Sequence, residues 1–224
     1  MGFKVIKESI LQANDNIASD IKARMDTEKV FVFNLISSPG SGKTSLLEAL
    51  APKLNAQGIK FCILTGDCFT TNDAKRLDKA GAPVIQINTG NSCHIDAALI
   101  DAALNEVELK GLDLLVVENV GNLVCPAEFD IGEDEKVAVL SVPEGEDKPL
   151  KYPLLFSESR LIILNKIDLI KHTDFDLQLC GNNIANVNSK AKVVESSCKT
   201  GEGIDGFVEW IKERIETKKG EKRI

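Results

Sequence analysis

Between an apolar run and a leucine-rich segment the chain places Ser37-Ser38-Pro39-Gly40-Ser41-Gly42-Lys43-Thr44-Ser45. Glycines let the backbone turn so that successive N–H groups face one hollow. A helix beginning near Lys43 adds the positive end of its dipole. Gly40, Ser41, Gly42, Lys43, Thr44 and Ser45 are therefore expected to hold phosphates, with Lys43 reaching the β- and γ-groups and the Thr44 hydroxyl on Mg²⁺. The usual pattern is G-x-x-x-x-G-K-[ST]; Ser37 stands where its first glycine belongs. A plain helix-capping turn has no need of the lysine–threonine pair.

Mg²⁺ prefers a near-octahedral oxygen shell, so Thr44 needs company. Asp67, in Thr65-Gly66-Asp67, and Glu118, in Val116-Val117-Glu118-Asn119-Val120-Gly121, each close an apolar run. Glu118, with glycine three residues on, occupies the place of a D-x-x-G γ-phosphate sensor. Either carboxylate could bind the ion directly, bind it through water, or orient an attacking water. With Lys43 they form the expected catalytic set.

Asn165-Lys166-Ile167-Asp168 follows another apolar run. Asp168 can accept from both N1–H and the exocyclic amine of guanine. Adenine has neither donor there, and leaving a buried carboxylate unpaired discriminates by about 10⁴-fold or more. The Lys166 stem would lie on the base and Asn165 would tie loops together. Ser197-Cys198-Lys199 offers backbone N–H groups for guanine O6. The array specifies GTP and GDP over ATP.

Softer ligands form a second constellation. Cys93-His94 precedes a helical pattern, and Cys125 lies on the segment that begins at Glu118. Cys93 is expected to gain thiolate character from the nearby helix start. An S/N/S set suits Zn²⁺ or Ni²⁺ rather than Mg²⁺. A water, or a second copy of the chain across a twofold axis, would complete the coordination. Cys62 and Cys180 read as core, Cys68 as an accessory thiol at most, and His172 as surface.

Short Val/Ile/Leu-rich runs at 30–36, 60–65, 83–88, 113–118, 137–142, 160–164 and 192–196 alternate with helical patterns. This predicts an α/β, three-layer fold with a mostly parallel central sheet and helices on both faces. Ligands should gather where the strands end, and each constellation above lies in such a loop. A helix is expected over 95–109, with Ile95, Ala98, Leu99, Ala102 and Ala103 inward. An N-terminal helix about 3–26 and a C-terminal helix about 204–218 flank the array, and residues 1–224 read as one domain. Of the 224 residues, 43% are apolar, and the net charge is −7. That balance argues against nucleic acid as a partner. No run is long enough to span a bilayer, and scattered thiols without an apolar leader suggest the cytoplasm.

Ser-Ser-Pro-Gly-Ser-Gly-Lys-Thr, Thr-Gly-Asp-Cys, Gly-Asn-Ser-Cys-His, Glu-Asn-Val-Gly-Asn-Leu-Val-Cys-Pro and Asn-Lys-Ile-Asp together resemble the hydrogenase maturation GTPases of the HypB family over residues 5–215. Urease-accessory relatives use Cys-Pro-His instead. The resemblance implies a P-loop GTPase of the SIMIBI class that couples slow GTP hydrolysis to nickel delivery into [NiFe]-hydrogenase. It implies a HypA-type metallochaperone and the hydrogenase large-subunit precursor as partners. It also implies a GTP-promoted homodimer with Cys93, His94 and Cys125 at or near its interface. With no cysteine before Cys62 and only two histidines, the nickel-storing extras of some members are not expected. Lys148 and Lys151 are weak candidates for contacts across such a dimer. The alternatives are a urease-accessory-like nickel GTPase, a P-loop small-molecule kinase, and a metal-binding interaction module.

Overall fold

A computed structural model describes residues 6–67, 70–90 and 92–220, with side chains from residue 11 onward. Seven strands form one sheet: β1 (Phe31–Ser37), β2 (Phe61–Asp67), β3 (Val84–Asn88), β4 (Leu114–Glu118), β5 (Glu135–Ser141), β6 (Ser159–Asn165) and β7 (Lys192–Glu195). Every pairing is parallel, in the order β3-β2-β4-β1-β5-β6-β7. The expected strands are all present, within two residues at each end.

Helices cover both faces, as the apolar runs require. On one face lie α2 (Lys43–Ala56), α3 (Asn72–Lys79) and α9 (Ile204–Lys219), packed on Phe31, Phe33, Leu35, Val116 and Val139. On the other lie α1 (Ile6–Glu28) and α4 (Ala97–Ala103) against Val32, Leu64 and Val117. The same face carries α7 (Pro153–Glu158) and α8 (Leu177–Val187) against Ala138, Leu140 and Ile162. Two short helices, α5 (Cys125–Glu128) and α6 (Lys148–Lys151), follow β4 and β5. Alternate residues of one strand thus feed opposite cores, so β1 is buried along its whole length.

The helix expected over 95–109 is shorter, and of its expected inward residues Ile95, Leu99 and Ala103 pack against the core. It opens at Ala97, where the Asp96 side chain accepts from the Leu99 N–H, and tightens into a 3₁₀ turn at Leu104–Glu106. Ala97, Ile100 and Leu104 are buried while Ala98 and Ala102 are exposed. Alanines fit either face of a helix, so the bulkier Ile100 and Leu104 decide which side packs. The start expected for α1, near residue 3, and the Cys68 thiol lie outside the described residues. Cys62 and Cys180 are buried and His172 is exposed. Among the described residues no helix is long and apolar enough to cross a membrane.

Trp210 of α9 is fully buried and meets the rings of Phe31 and Phe33 edge-on, with centroids 5.9 and 6.1 Å away. Its indole N–H has no hydrogen-bond partner among the described residues. Trp210→Ala is expected to lower unfolding free energy by about 3–5 kcal/mol through lost contacts and a cavity. Trp210→Phe should cost clearly less, because it also removes the unpaired N–H. Urea unfolding of the variants checks the ordering, which equal losses would contradict.

Candidate functional site

β1 ends at Ser37, which is fully buried, and the chain turns through Gly40 (φ 77°) and Gly42 (φ 101°) into α2. A Cβ on Gly42 would lie 2.6 Å from Asn165 Nδ2, so glycine is needed for space as well as for conformation. Lys43 Nζ donates to Ser37 Oγ at 2.9 Å. The residue that departs from the phosphate-loop pattern therefore serves as the acceptor for the loop's own lysine. Burial holds the Lys43 ammonium below its ordinary range, partly offset by the carboxylate of Glu118.

Glu118, 3% exposed, ends β4 with both oxygens engaged: the Thr44 hydroxyl donates to Oε1 at 2.6 Å and the Thr65 hydroxyl to Oε2 at 2.9 Å. Burial pushes its carboxyl up, against the lowering effect of Thr44 and Lys43. Asp67 ends β2 and accepts from the Thr70 hydroxyl at 2.6 Å. Lys43, Thr44, Asp67 and Glu118 line one cleft of about 560 Å³, with Asp73 and Arg76 of α3 on its wall. The cleft's oxygen donors are hard, as Mg²⁺ requires.

A neighbouring pocket of about 750 Å³ is lined by Glu48, Asn165, Lys166, Asp168, Cys198 and Lys199. Asn165 Nδ2 donates to the Ser41 carbonyl at 2.9 Å, and its Oδ1 accepts from Ser196 and Cys198, so it ties the glycine loop to this second pocket. Lys166 Nζ donates to the Gly40 carbonyl at 2.6 Å. Ser197 departs from expectation. Its N–H is donated to the Glu202 carbonyl, and its hydroxyl donates to Asp168 Oδ1 at 2.6 Å. Ser197 therefore orients the carboxylate, while Cys198 and Lys199 line the pocket.

The soft ligands converge. Sγ of Cys93 and Sγ of Cys125 are 2.9 Å apart, and one ligand atom each from Cys93, His94 and Cys125 fits within 4.8 Å. His94 Nδ1 lies 3.7 Å from the Cys93 sulfur, while its ring stacks on Phe129 with centroids 4.1 Å apart. Nε2 of His94 is buried without a hydrogen-bond partner among the described residues. Burial lowers the imidazole pKa, which favours the neutral, metal-binding form. Cys93 runs against expectation. Its thiol is raised, first by the hydrogen bond to Cys125 and then by burial. It precedes the first helical residue by a full turn, with the Asp96 carboxylate capping the helix between them. The paired thiols and the neutral imidazole are a donor set for a borderline-soft ion.

Residues 31–195 match the model of the CobW/HypB/UreG nucleotide-binding domain. The hydrogenase maturation factor HypB of Azotobacter chroococcum is 47% identical over 92% of this chain and 67% of its own length. That of Azotobacter vinelandii is 46% identical over 95% of this chain and 70% of its own. The chain belongs to the HypB family of hydrogenase maturation factors. In backbone it is similar to the crystal structure of HypB from Helicobacter pylori in complex with nickel, with a TM-score of 0.86, 36% identity, and 92% and 96% of the two chains covered.

Sequence reasoning passed over Asn34, Asn119, Glu144 and Arg76. Asn34 had a visible signal, an amide inside an otherwise apolar strand. Glu144 Oε2 lies 2.7 Å from Ser41 Oγ, bracing the phosphate loop from the end of β5. Arg76 grips Glu48 through two nitrogens and donates to Ser45 Oγ at 2.9 Å. Lys151 pairs with Asp147, and Lys148 lies 5.9 Å over the Tyr152 ring.

Because burial raises the Glu118 carboxyl, a proton on it favours the nucleotide-free fold. That stability is complete below the unfolded-state value of about 4.3 and is lost as pH rises through the folded-state value. Glu118→Gln is therefore expected to gain stability relative to wild type between pH 4 and 7. Chemical denaturation at both pH values measures the gap, and a gap that narrows contradicts the assignment.

Proposed function

We propose that the protein is a guanine-nucleotide switch that hydrolyses GTP to GDP and phosphate, slowly on its own, and couples this to nickel delivery during [NiFe]-hydrogenase maturation. One observation carries the reading. A single segment touches the phosphate loop at one end, where Glu118 meets Thr44 at 2.6 Å, and the thiol cluster at the other, where Cys125 meets Cys93 at 2.9 Å. Membership of the HypB family and the likeness to a nickel-complexed relative support the same conclusion.

In this reading the base occupies the pocket of Asn165, Lys166, Asp168, Cys198 and Lys199. Lys43 leaves Ser37 for the β- and γ-phosphates, which supply the negative charge its buried ammonium lacks. Thr44, with Asp67 and Glu118 directly or through water, would hold Mg²⁺, whose charge neutralises the developing anion. The Thr44 oxygen would meet the ion through a lone pair while its proton stays on Glu118, so the arriving ion bears directly on the start of the segment. Cys93, His94 and Cys125 hold Ni²⁺ or Zn²⁺ as cargo. The open coordination position is filled by water or by a second copy in a GTP-promoted homodimer. A HypA-type metallochaperone and the hydrogenase large-subunit precursor are the proposed partners, in the cytoplasm.

Turnover of purified protein should favour GTP over ATP, and Lys43→Ala should lower it by at least about a hundredfold, the scale set by losing one preorganised charge at the transferring phosphoryl group. Equal activity in both proteins would mean a contaminant. Nickel titration with GDP and with a non-hydrolysable GTP analogue should give different affinities, and Cys125→Ala should weaken both. Identical affinities with the two nucleotides reject the switch.

A further inference from the structure

We propose that Asn119 is the positioning residue that carries the state of the nucleotide cleft to the metal-ligating loop; the inference rests on the switch proposed above. Asn119 follows Glu118 directly and is 1% exposed. Its N–H donates to the Leu35 carbonyl of β1 at 3.1 Å, and its Nδ2 donates to Asn34 Oδ1, also in β1, at 3.1 Å. Its Oδ1 accepts from the N–H of Ile95, the residue after His94, at 3.0 Å, and from Val120 at 3.0 Å. One buried amide thus joins the strand that feeds the phosphate loop, the segment that begins at Glu118, and the backbone of the Cys93-His94 loop.

The amide can take up only one orientation. Its oxygen faces two N–H donors and its nitrogen faces an acceptor, so rotation by 180° would place like against like. Asn34 is held in turn, 3.5 Å from Glu133 Oε1. Ile95 is gripped by its side chain as well. A Cβ on Gly66, next to Asp67, would lie 2.6 Å from Ile95 Cδ1, and Val120 bounds the same space. A shift of Glu118 as the ion and the γ-phosphate enter the cleft moves Asn119 with it along the backbone. The Ile95 N–H then either follows, turning His94 toward or away from the paired thiols, or loses this acceptor in a dry interior. Both responses change the ligand geometry, so the link does not depend on which one occurs.

The test is nickel titration of wild type, Asn119→Ala and Asn119→Asp, each with GDP and with a non-hydrolysable GTP analogue. The readout is the ratio of the two nickel affinities. A merely structural loss lowers both affinities and leaves their ratio; loss of the relay moves the ratio to one. Wild type is expected to show a ratio of about tenfold, within the usual range of coupling between sites. Asn119→Ala should fall to near one, and Asn119→Asp, which keeps an acceptor for Ile95, should retain most of the effect. An unchanged ratio in a folded Asn119→Ala overturns the proposal. Should that variant not fold, the Ile95 amide resonance of nickel-free wild type takes its place. It should differ in exchange rate by about tenfold between the two nucleotide states. An Ile95 amide indifferent to nucleotide, in a protein whose nickel affinity is not, overturns the relay and leaves the switch standing. Equal nickel affinities in wild type overturn the switch, and the relay with it.

Discussion

The parallel pairing of β1 with β4, in a register that sets Leu35 beside Glu118, is the constraint on which the site depends. The two strands are far apart in sequence, and β2 and β3 are made between them. Yet β4 returns to lie between β2 and β1, so their carboxyl ends leave the sheet side by side. Parallel strands share one exit edge by definition. The non-sequential order adds that the phosphate loop and the segment carrying Cys125 emerge as neighbours.

Burying polar groups at that edge is costly, and each is placed so that a ligand would relieve it. Glu118 is held by two hydroxyls, Lys43 by one, and burial works against the charge of both. These groups attract one another, but neither is neutralised as it would be by phosphate and a divalent ion. At the Cys93–His94–Cys125 cluster, His94 Nε2 is buried and unpaired among the described residues, and the two thiols crowd together. Around this strained edge the scaffold is conventional, with three apolar clusters each filled from both a strand and its covering helix.

The readings that the structure corrects rest on local spacing alone. Ala98 and Ala102 of α4 face outward, because alanine carries no preference between core and water at this scale, whereas Ile100 and Leu104 do. The thiol of Cys93 was expected to be acidified by a helix start. In three dimensions the Asp96 carboxylate caps that helix and the nearest group to the sulfur is another thiol. Ser197 was read as a donor to the base, but tertiary contacts with Glu202 and Asp168 use both its donors.

Residue types and local spacing determined a good deal by themselves: seven strands, a glycine-shaped loop before a helix, a polar N-K-x-D array at a strand end, and soft ligands in two places. Those follow from backbone sterics and apolar periodicity, which act over a few residues. Only the tertiary structure decided that Cys93 and Cys125 share one site, that Ser37 receives Lys43, and that the Asn119 amide joins three segments. Such contacts depend on strand order and register, which arise from how the two sheet faces are covered and leave no mark in any short stretch of chain.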